Sequence, residues 1–325
     1  MDIRDWFDTR SFRHQDFEGI GPHTGQTTTL ILPARSVADT IGPILTAVAE
    51  LREQTGLIDQ VLVIDADSPD GTAEIARDHG AEVWSENELM PGYGPCLGKG
   101  DAMWRSLSVA RGDLVMFADA DTSDFGAHFI YGTLGPLLAL PGIRFTKAAY
   151  RRPFTQRGES VTDGGGRVTE LMAKPLLNLY RPELAGFVQP LAGEFAAPRR
   201  LLTSLPFLTG YGVELALLID VLDAVGLAAM AQVDLGSRQN RHQPLRDLTR
   251  MSSTVLRAMA RRRPGGEPEP PVPGPRQPDV LELGRETYLH AVATESGLRL
   301  DEHLNELVER PPLDRVRAEL AGQAS

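Results

Sequence analysis

The apolar positions in the first half of the chain alternate between short continuous runs and stretches with helical spacing. Residues 27–32, Thr-Thr-Thr-Leu-Ile-Leu, are β-branched and aliphatic and stop at Pro33, which predicts a buried strand running into a loop. Residues 39–53 place Ile41, Ile44, Leu45, Val48 and Leu51 on one helix face. A second strand over 60–64 is stopped by Asp65, a helix over 72–79 is closed by Gly80, and a third short strand covers 81–84. Residues 85–98 carry Pro91, Gly92, Gly94, Pro95 and Gly98 and read as a loop. A helix over 101–110 leads to a fourth strand, 113–118, with Asp119-Ala120-Asp121 at its C-terminal end. This alternation predicts an α/β domain with an open, mainly parallel sheet. Ligands of such sheets bind beyond the carboxyl ends of the strands, where Pro33, Asp65 and Asp119 all fall.

The second half is less regular. Residues 143–150 and 231–235 read as strands, and 168–180 and 213–225 as helices. Residues 261–278 hold Arg261, Arg262 and Arg263 followed by seven prolines, the composition of an exposed linker. Helical spacing returns over 282–294 and 300–308. The expected organisation is a lead-in over 1–26, a ligand-binding domain over 27–150, a second binding region over 151–260, the proline-rich linker over 261–278 and a helical extension over 279–325.

Composition narrows the function. At roughly 150 residues per domain, a chain of 325 residues makes one large domain or two unequal ones. The net charge of -11 argues against a nucleic-acid partner, which demands a basic surface. Cys96 is the single cysteine, so no internal disulfide can form, as fits a reducing cytosol. The N-terminus shows no secretory pattern, and no apolar run approaches the roughly 20 residues of a membrane span. A cytoplasmic protein with no membrane partner and a soluble substrate is expected.

Five constellations carry chemistry. Asp119-Ala120-Asp121 after an apolar strand can hold a hard cation such as Mg²⁺ or Mn²⁺ against the phosphates of a nucleotide diphosphate; a solvated acidic turn has the same sequence. Gly98-Lys99-Gly100 opens a helix, a setting for a phosphate, but Tyr93 and Gly100 stand where a P-loop wants glycine and a hydroxyl. Asp163-Gly164-Gly165-Gly166-Arg167-Val168-Thr169 lets backbone N–H groups converge on an anion, with Arg167 adding a fork and Thr169 a hydroxyl, or simply precedes a helix capped by Thr169. Gly210-Tyr211-Gly212-Val213-Glu214 sets a carboxylate at a helix start, able to accept from sugar hydroxyls or to answer the helix dipole. Arg238-Gln239-Asn240-Arg241-His242 adds arginines for an anion and one histidine for a metal.

With these residues collected, the chain resembles the actinobacterial glucosyl-3-phosphoglycerate and mannosyl-3-phosphoglycerate synthases, retaining glycosyltransferases of the GT-A fold. The likeness runs from about Thr28 to about Leu248, and its most specific stretches are 98–107, 150–153, 164–171, 202–207 and 210–214. The resemblance implies a GT-A-like, Rossmann-like sheet with a smaller acceptor-binding part, and a homodimer. It implies Mg²⁺ or Mn²⁺ on Asp119 and Asp121, Lys99 on the nucleotide phosphate side, and Pro33, Ala34, Arg35, Asp65, Ala66 and Ala120 around the nucleotide-sugar. Gly165, Gly166, Arg167, Thr169, Tyr211 and Asn240 would meet 3-phosphoglycerate, and Glu214 the sugar. Asp121, Glu214 and Arg167 are the residues expected to carry catalysis.

Two departures bear on specificity. Similar glucosyl members read Pro-Ala-Leu-Asn-Glu-Glu after the first strand, with a glutamate that helps read uracil, whereas this chain has Pro33-Ala34-Arg35-Ser36-Val37-Ala38. Their late cluster is His-Arg-Asn, the histidine binding metal; here the order is Asn240-Arg241-His242, so either Asn240 coordinates instead or His242 reaches the metal through a shifted loop, the reading taken here. The expected activity is hexosyl transfer from GDP-mannose, with GDP- or UDP-glucose possible, to 3-phosphoglycerate. The alternatives are a glucosyl-3-phosphoglycerate synthase using UDP-glucose and, more remotely, an inactive nucleotide-binding module. A dehydrogenase is disfavoured because no G-x-G-x-x-G follows the first strand.

Overall fold

The computed structural model describes residues 1–21, 25–156, 159–161, 165–239, 245–262, 287–294, 297–304 and 307–323. In chain order, α1 (Ile3–Arg10) and β1 (Ser11–Arg13) precede β2 (Thr28–Ala34), α2 (Ala38–Thr55), β3 (Gln60–Asp65), α3 (Thr72–Asp78), β4 (Glu82–Ser85), α4 (Lys99–Ser106), β5 (Leu114–Phe117), α5 (Ala127–Ala139) and β6 (Phe145–Arg151). A small hairpin, β7 (Phe154–Gln156) and β8 (Glu159–Val161), leads to α6 (Lys174–Tyr180), entered through a π-turn at Thr169–Ala173. The chain continues through β9 (Phe195–Pro198), α7 (Arg199–Thr203), β10 (Phe207–Leu208), α8 (Val213–Val225), β11 (Met230–Ser237) and α9 (Leu245–Arg262). The last described elements are β12 (Thr287–Thr294), β13 (Gly297–Leu304), β14 (Glu309–Arg310) and α10 (Leu313–Gln323).

Eight strands form one sheet in the order β1-β11-β6-β9-β5-β2-β3-β4. Every neighbouring pair is parallel except the two that involve β9. The sheet is therefore the mainly parallel α/β sheet expected from the sequence. β3 is buried along its whole length, as parallel strands covered on both faces must be, and that double burial explains its unbroken apolar run. α2 ends where Gly56 takes a left-handed φ of 66° and returns its N–H to the Arg52 carbonyl.

Because β9 runs against its neighbours, its N-terminal end lies beside the C-terminal ends of β5 and β6. Glu194, just before β9, thus reaches the edge where the parallel strands present their loops. The lead-in is also tied to the sheet. Trp6 is fully buried and its indole N–H donates to the Met230 carbonyl at 2.8 Å, while β1 adds an edge strand to β11.

The C-terminal part differs from expectation. Of the helices expected over 282–294 and 300–308, residues 282–286 and 305–306 lie outside the described residues, 287–294 and 300–304 belong to the antiparallel hairpin of β12 and β13, and helix within the described part of 279–325 is α10. The reason is visible in the pattern. Leu298, Leu300 and Leu304 fall on one period-two set of β13, so strand periodicity outweighs the scattered helix formers. After the hairpin the chain straps across α4. β14 pairs with β10, Trp104 donates to the Pro311 carbonyl at 2.8 Å, and Arg310 forms a two-pronged contact with buried Asp101 at 2.6 and 2.8 Å. The proline-rich segment lies outside the described residues except for Arg261 and Arg262 at the end of α9. Among the described residues no helix is long and apolar enough to cross a membrane.

Candidate active site

The strand ends build one charged centre. β5 delivers Asp119, Ala120 and Asp121, and the Thr40 hydroxyl near the start of α2 holds this turn by donating to the Ala120 carbonyl at 2.6 Å. α4 begins at Lys99, whose Nζ lies 2.5 Å from Asp119 Oδ1 and 2.7 Å from Glu214 Oε1 in the first turn of α8. β11 runs out to Arg238. One guanidinium nitrogen of Arg238 sits 2.8 Å from Asp119 Oδ2 and 3.0 Å from Asp121 Oδ1, and another lies 3.2 Å from Glu194 Oε1. Arg238 also donates to the Tyr150 hydroxyl at 2.9 Å and to Thr122 Oγ1 at 3.1 Å.

Burial and charge oppose each other here. Burial raises the Asp119 carboxyl, but Lys99 and Arg238 outweigh it and hold the group well below the usual carboxylate range. Burial likewise disfavours the Lys99 and Arg238 cations, yet Asp119 and Glu214 around Lys99, and Glu194 and its neighbours around Arg238, push both groups up. Glu194 is the exception: burial wins and its carboxyl is raised despite Arg238. Asp121 remains half exposed and opens to the cavity. Burial and the nearby Glu86 push the Cys96 thiol up, away from the thiolate a nucleophile needs.

Two glycines are dictated by the site, one by its backbone angle and one by close approach. Gly98 adopts a left-handed φ of 83° at the N-cap of α4, which aims Lys99 into the site. Gly193 lies against the charged pair: a Cβ there would stand 2.2 Å from Asp119 Oδ1 and 2.6 Å from Lys99 Nζ. Gly193→Ala is expected to push these groups apart and lower kcat about 10²-fold. Steady-state kinetics on the folded variant checks this, and an unchanged kcat would show that the pair need not keep its geometry.

The centre opens into a cavity of about 480 Å³. Pro33, Ala34, Arg35 and Ala66, the residues expected around the nucleotide-sugar, line it from the ends of β2 and β3. Asp65 does not line it: its side chain is buried, and Oδ2 accepts from the Ser68 N–H at 2.9 Å. Its other oxygen, Oδ1, is buried without a hydrogen-bond partner among the described residues. Gly165, Gly166, Arg167, Thr169 and Tyr211 border the same cavity, as does Glu214. Arg152 joins them, and its carbonyl accepts from the Gly165 N–H at 2.9 Å. Asn240 and His242 lie outside the described residues.

Sequence reasoning missed Gly193, Glu194, Arg152 and Glu86 as parts of this site. It noted Arg238 only as one arginine of a cluster. Arg152 sits inside the distinctive Tyr-Arg-Arg-Pro stretch, which was the signal available for it.

The donor set suits a hard divalent cation. Asp119 and Asp121 converge on a single positive nitrogen of Arg238, and half-exposed Asp121 faces space that phosphate oxygens and water can share. Among the described residues no group of three or more His, Cys, Asp or Glu side chains surrounds a metal position, so remaining ligands must come from elsewhere.

Comparison with known proteins identifies the family. Residues 29–126 match the model of glycosyl transferase family 2. The chain is 44% identical over 241 residues, 73% of each chain, to the glucosyl-3-phosphoglycerate synthase of Mycolicibacterium paratuberculosis. Among solved structures it is similar to the mannosyl-3-phosphoglycerate synthase of Rubrobacter xylanophilus, at 56% identity and TM-score 0.84 over 97% of this chain and 98% of that one. It is also similar to the glucosyl-3-phosphoglycerate synthase of Mycobacterium tuberculosis in complex with Mn²⁺, UDP and glucosyl-3-phosphoglycerate, at 37% identity and TM-score 0.75 over 90% and 92%. The chain is a glycosyltransferase and belongs to the family of glucosyl- and mannosyl-3-phosphoglycerate synthases.

Proposed function

We propose that this enzyme transfers a mannosyl group from GDP-mannose to 3-phosphoglycerate with retention of anomeric configuration, using Mg²⁺ or Mn²⁺. The observation that carries the reading is one cavity bordered both by the Asp119–Lys99–Arg238 centre and by Arg152, Arg167 and the glycine turn at 165–166. The first group suits a nucleotide diphosphate. The second suits a small acid with a phosphate and a carboxylate. Mannose as the sugar is supported by the Rubrobacter xylanophilus enzyme, similar over nearly the whole chain. Guanine is supported by Arg35 and by Val37 standing where glucosyl members carry their uracil-reading glutamate. A second reading, UDP-glucose as donor, is favoured by the glucosyl-3-phosphoglycerate synthases among the relatives.

In the reaction the anomeric C1–O bond to the diphosphate breaks, C1 bonds to the acceptor hydroxyl oxygen, and the hydroxyl proton passes to the departing diphosphate. Asp119 and Glu214 are both engaged by Lys99, and Glu194 lies against Arg238, so no uncommitted carboxylate stands out as a nucleophile among them. That supports attack on the same face, with catalysis by positioning and charge. A divalent cation on Asp119 and Asp121 would add positive charge beside the leaving phosphates. Lys99 keeps Asp119 ionised and fixes Glu214 at the sugar, and Arg238 holds the two aspartates together. Arg167 and Thr169 would orient the acceptor, with Tyr211 beside them; His242 is kept as the further metal ligand and Asn240 as an acceptor contact.

The test is nucleotide diphosphate release from GDP-mannose, GDP-glucose and UDP-glucose, with and without 3-phosphoglycerate. Acceptor-dependent release, fastest with GDP-mannose, is expected. Release fastest with UDP-glucose would install the second reading, and no acceptor-dependent release would end both. Arg167→Ala should raise the KM for 3-phosphoglycerate about ten- to hundredfold with the donor KM nearly constant. Equal loss on both substrates would remove Arg167 from the acceptor side.

A further inference from the structure

We infer that Glu86, together with Arg35, reads the Watson–Crick and Hoogsteen edges of guanine and so sets the donor base; this deepens the guanine reading above and rests on it. Three neighbouring parallel strands end side by side, and their next residues, Arg35 after β2, Ala66 after β3 and Glu86 after β4, line the same cavity. Burial raises the Glu86 carboxyl, and a hydrogen bond with the Cys96 side chain and then the charge of Arg35 pull it back.

Glu86 is held in place by its backbone. Its N–H donates to the Asp65 carbonyl at 2.9 Å. The fully buried guanidinium of Arg105 pins the loop that follows, reaching the Leu89 carbonyl at 2.8 Å and the Gly94 carbonyl at 2.7 Å. A carboxylate with rigid backbone support, in a cavity wall and beside an arginine, is a preorganised recognition pair.

The chemistry selects the base. Guanine presents two adjacent donors, N1–H and N2–H₂, next to the acceptors O6 and N7. A carboxylate accepts from the first pair and an arginine fork donates to the second. Uracil offers one N–H flanked by two carbonyls, so a carboxylate there gains one hydrogen bond and faces two lone-pair-bearing oxygens.

The experiment is calorimetric binding of GDP, IDP and UDP to the Mn²⁺-loaded protein and to Glu86→Gln. IDP is GDP without the 2-amino group. Wild type should bind GDP about ten- to hundredfold tighter than IDP, and Glu86→Gln should level the two without weakening UDP, whose retained binding also certifies that the variant is folded. Equal affinity of wild type for GDP and IDP overturns the assignment, as does a preference that survives in Glu86→Gln or a loss that strikes UDP equally. Wild-type preference for UDP over GDP overturns the guanine donor itself. The binding measurement needs no acceptor, so an error in 3-phosphoglycerate leaves it untouched.

Discussion

Asp121→Ala is expected to lower kcat by about 10³-fold while moving the melting midpoint by no more than about 2 °C. The two effects separate because Asp121 is half exposed and its ion pair to Arg238 at 3.0 Å is partly open to solvent and worth little in stability. Its remaining carboxylate surface faces the cavity, where a cation and the donor phosphates would meet it. Asp119→Ala should behave differently. Asp119 is wedged between Lys99 and Arg238, and removing it leaves two buried cations short of a counter-charge. Lys99 keeps Glu214 and Arg238 keeps Glu194 and Asp121, so the stability cost should fall near the low end of the roughly 3–5 kcal/mol seen for breaking a buried pair. Steady-state kinetics and thermal melting of both variants separate the two roles. Full kcat in Asp121→Ala would remove the metal from this site, and a large melting shift in the same variant would make Asp121 structural.

What was legible in the sequence follows from how each segment is buried. β2, β3 and β5 lie inside the sheet, so their residues had to be continuously apolar, and the polar residues that stop them had to be at the working edge. Asp119 and Asp121 were readable for that reason, and Lys99 from the Gly-Lys-Gly that opens α4. β9 was not. It is short, Phe-Ala-Ala-Pro, and it enters the sheet antiparallel through contacts far along the chain, a pairing no local period encodes. Gly193 and Glu194 were hidden with it. Arg238 was visible as a charge, but nothing local told that it would be buried against Asp119 and Glu194 rather than solvated. The hairpin of β12 and β13 was misread because its residues alternate over a stretch that also contains good helix formers.

Arg238→Met should be the most destabilising of the single changes considered, by about 3–5 kcal/mol, or a fall of roughly 5–15 °C in melting midpoint. Methionine fills much of the volume but returns none of the charge, and Glu194 is left fully buried with the Tyr150 hydroxyl, which donates to its Oε2 at 3.0 Å. Burial already raises the Glu194 carboxyl, and Arg238 is the strongest influence pulling it down. Without Arg238 the group rises further and takes up a proton on folding. The folded state then binds more protons than the unfolded chain between the ordinary glutamate range and the raised value, so stability falls as pH rises through that window. The deficit against wild type should therefore be full above the raised value and shrink as pH drops toward the ordinary carboxylate range. Adding Glu194→Gln removes the stranded charge and should restore about 1–3 kcal/mol at neutral pH. It should not restore turnover, because Asp119 and Asp121 no longer share one guanidinium. Melting curves across pH for the single and double variants decide the matter. A double variant no more stable than Arg238→Met at neutral pH would mean that the Arg238–Glu194 contact is not what makes this arginine indispensable to the fold.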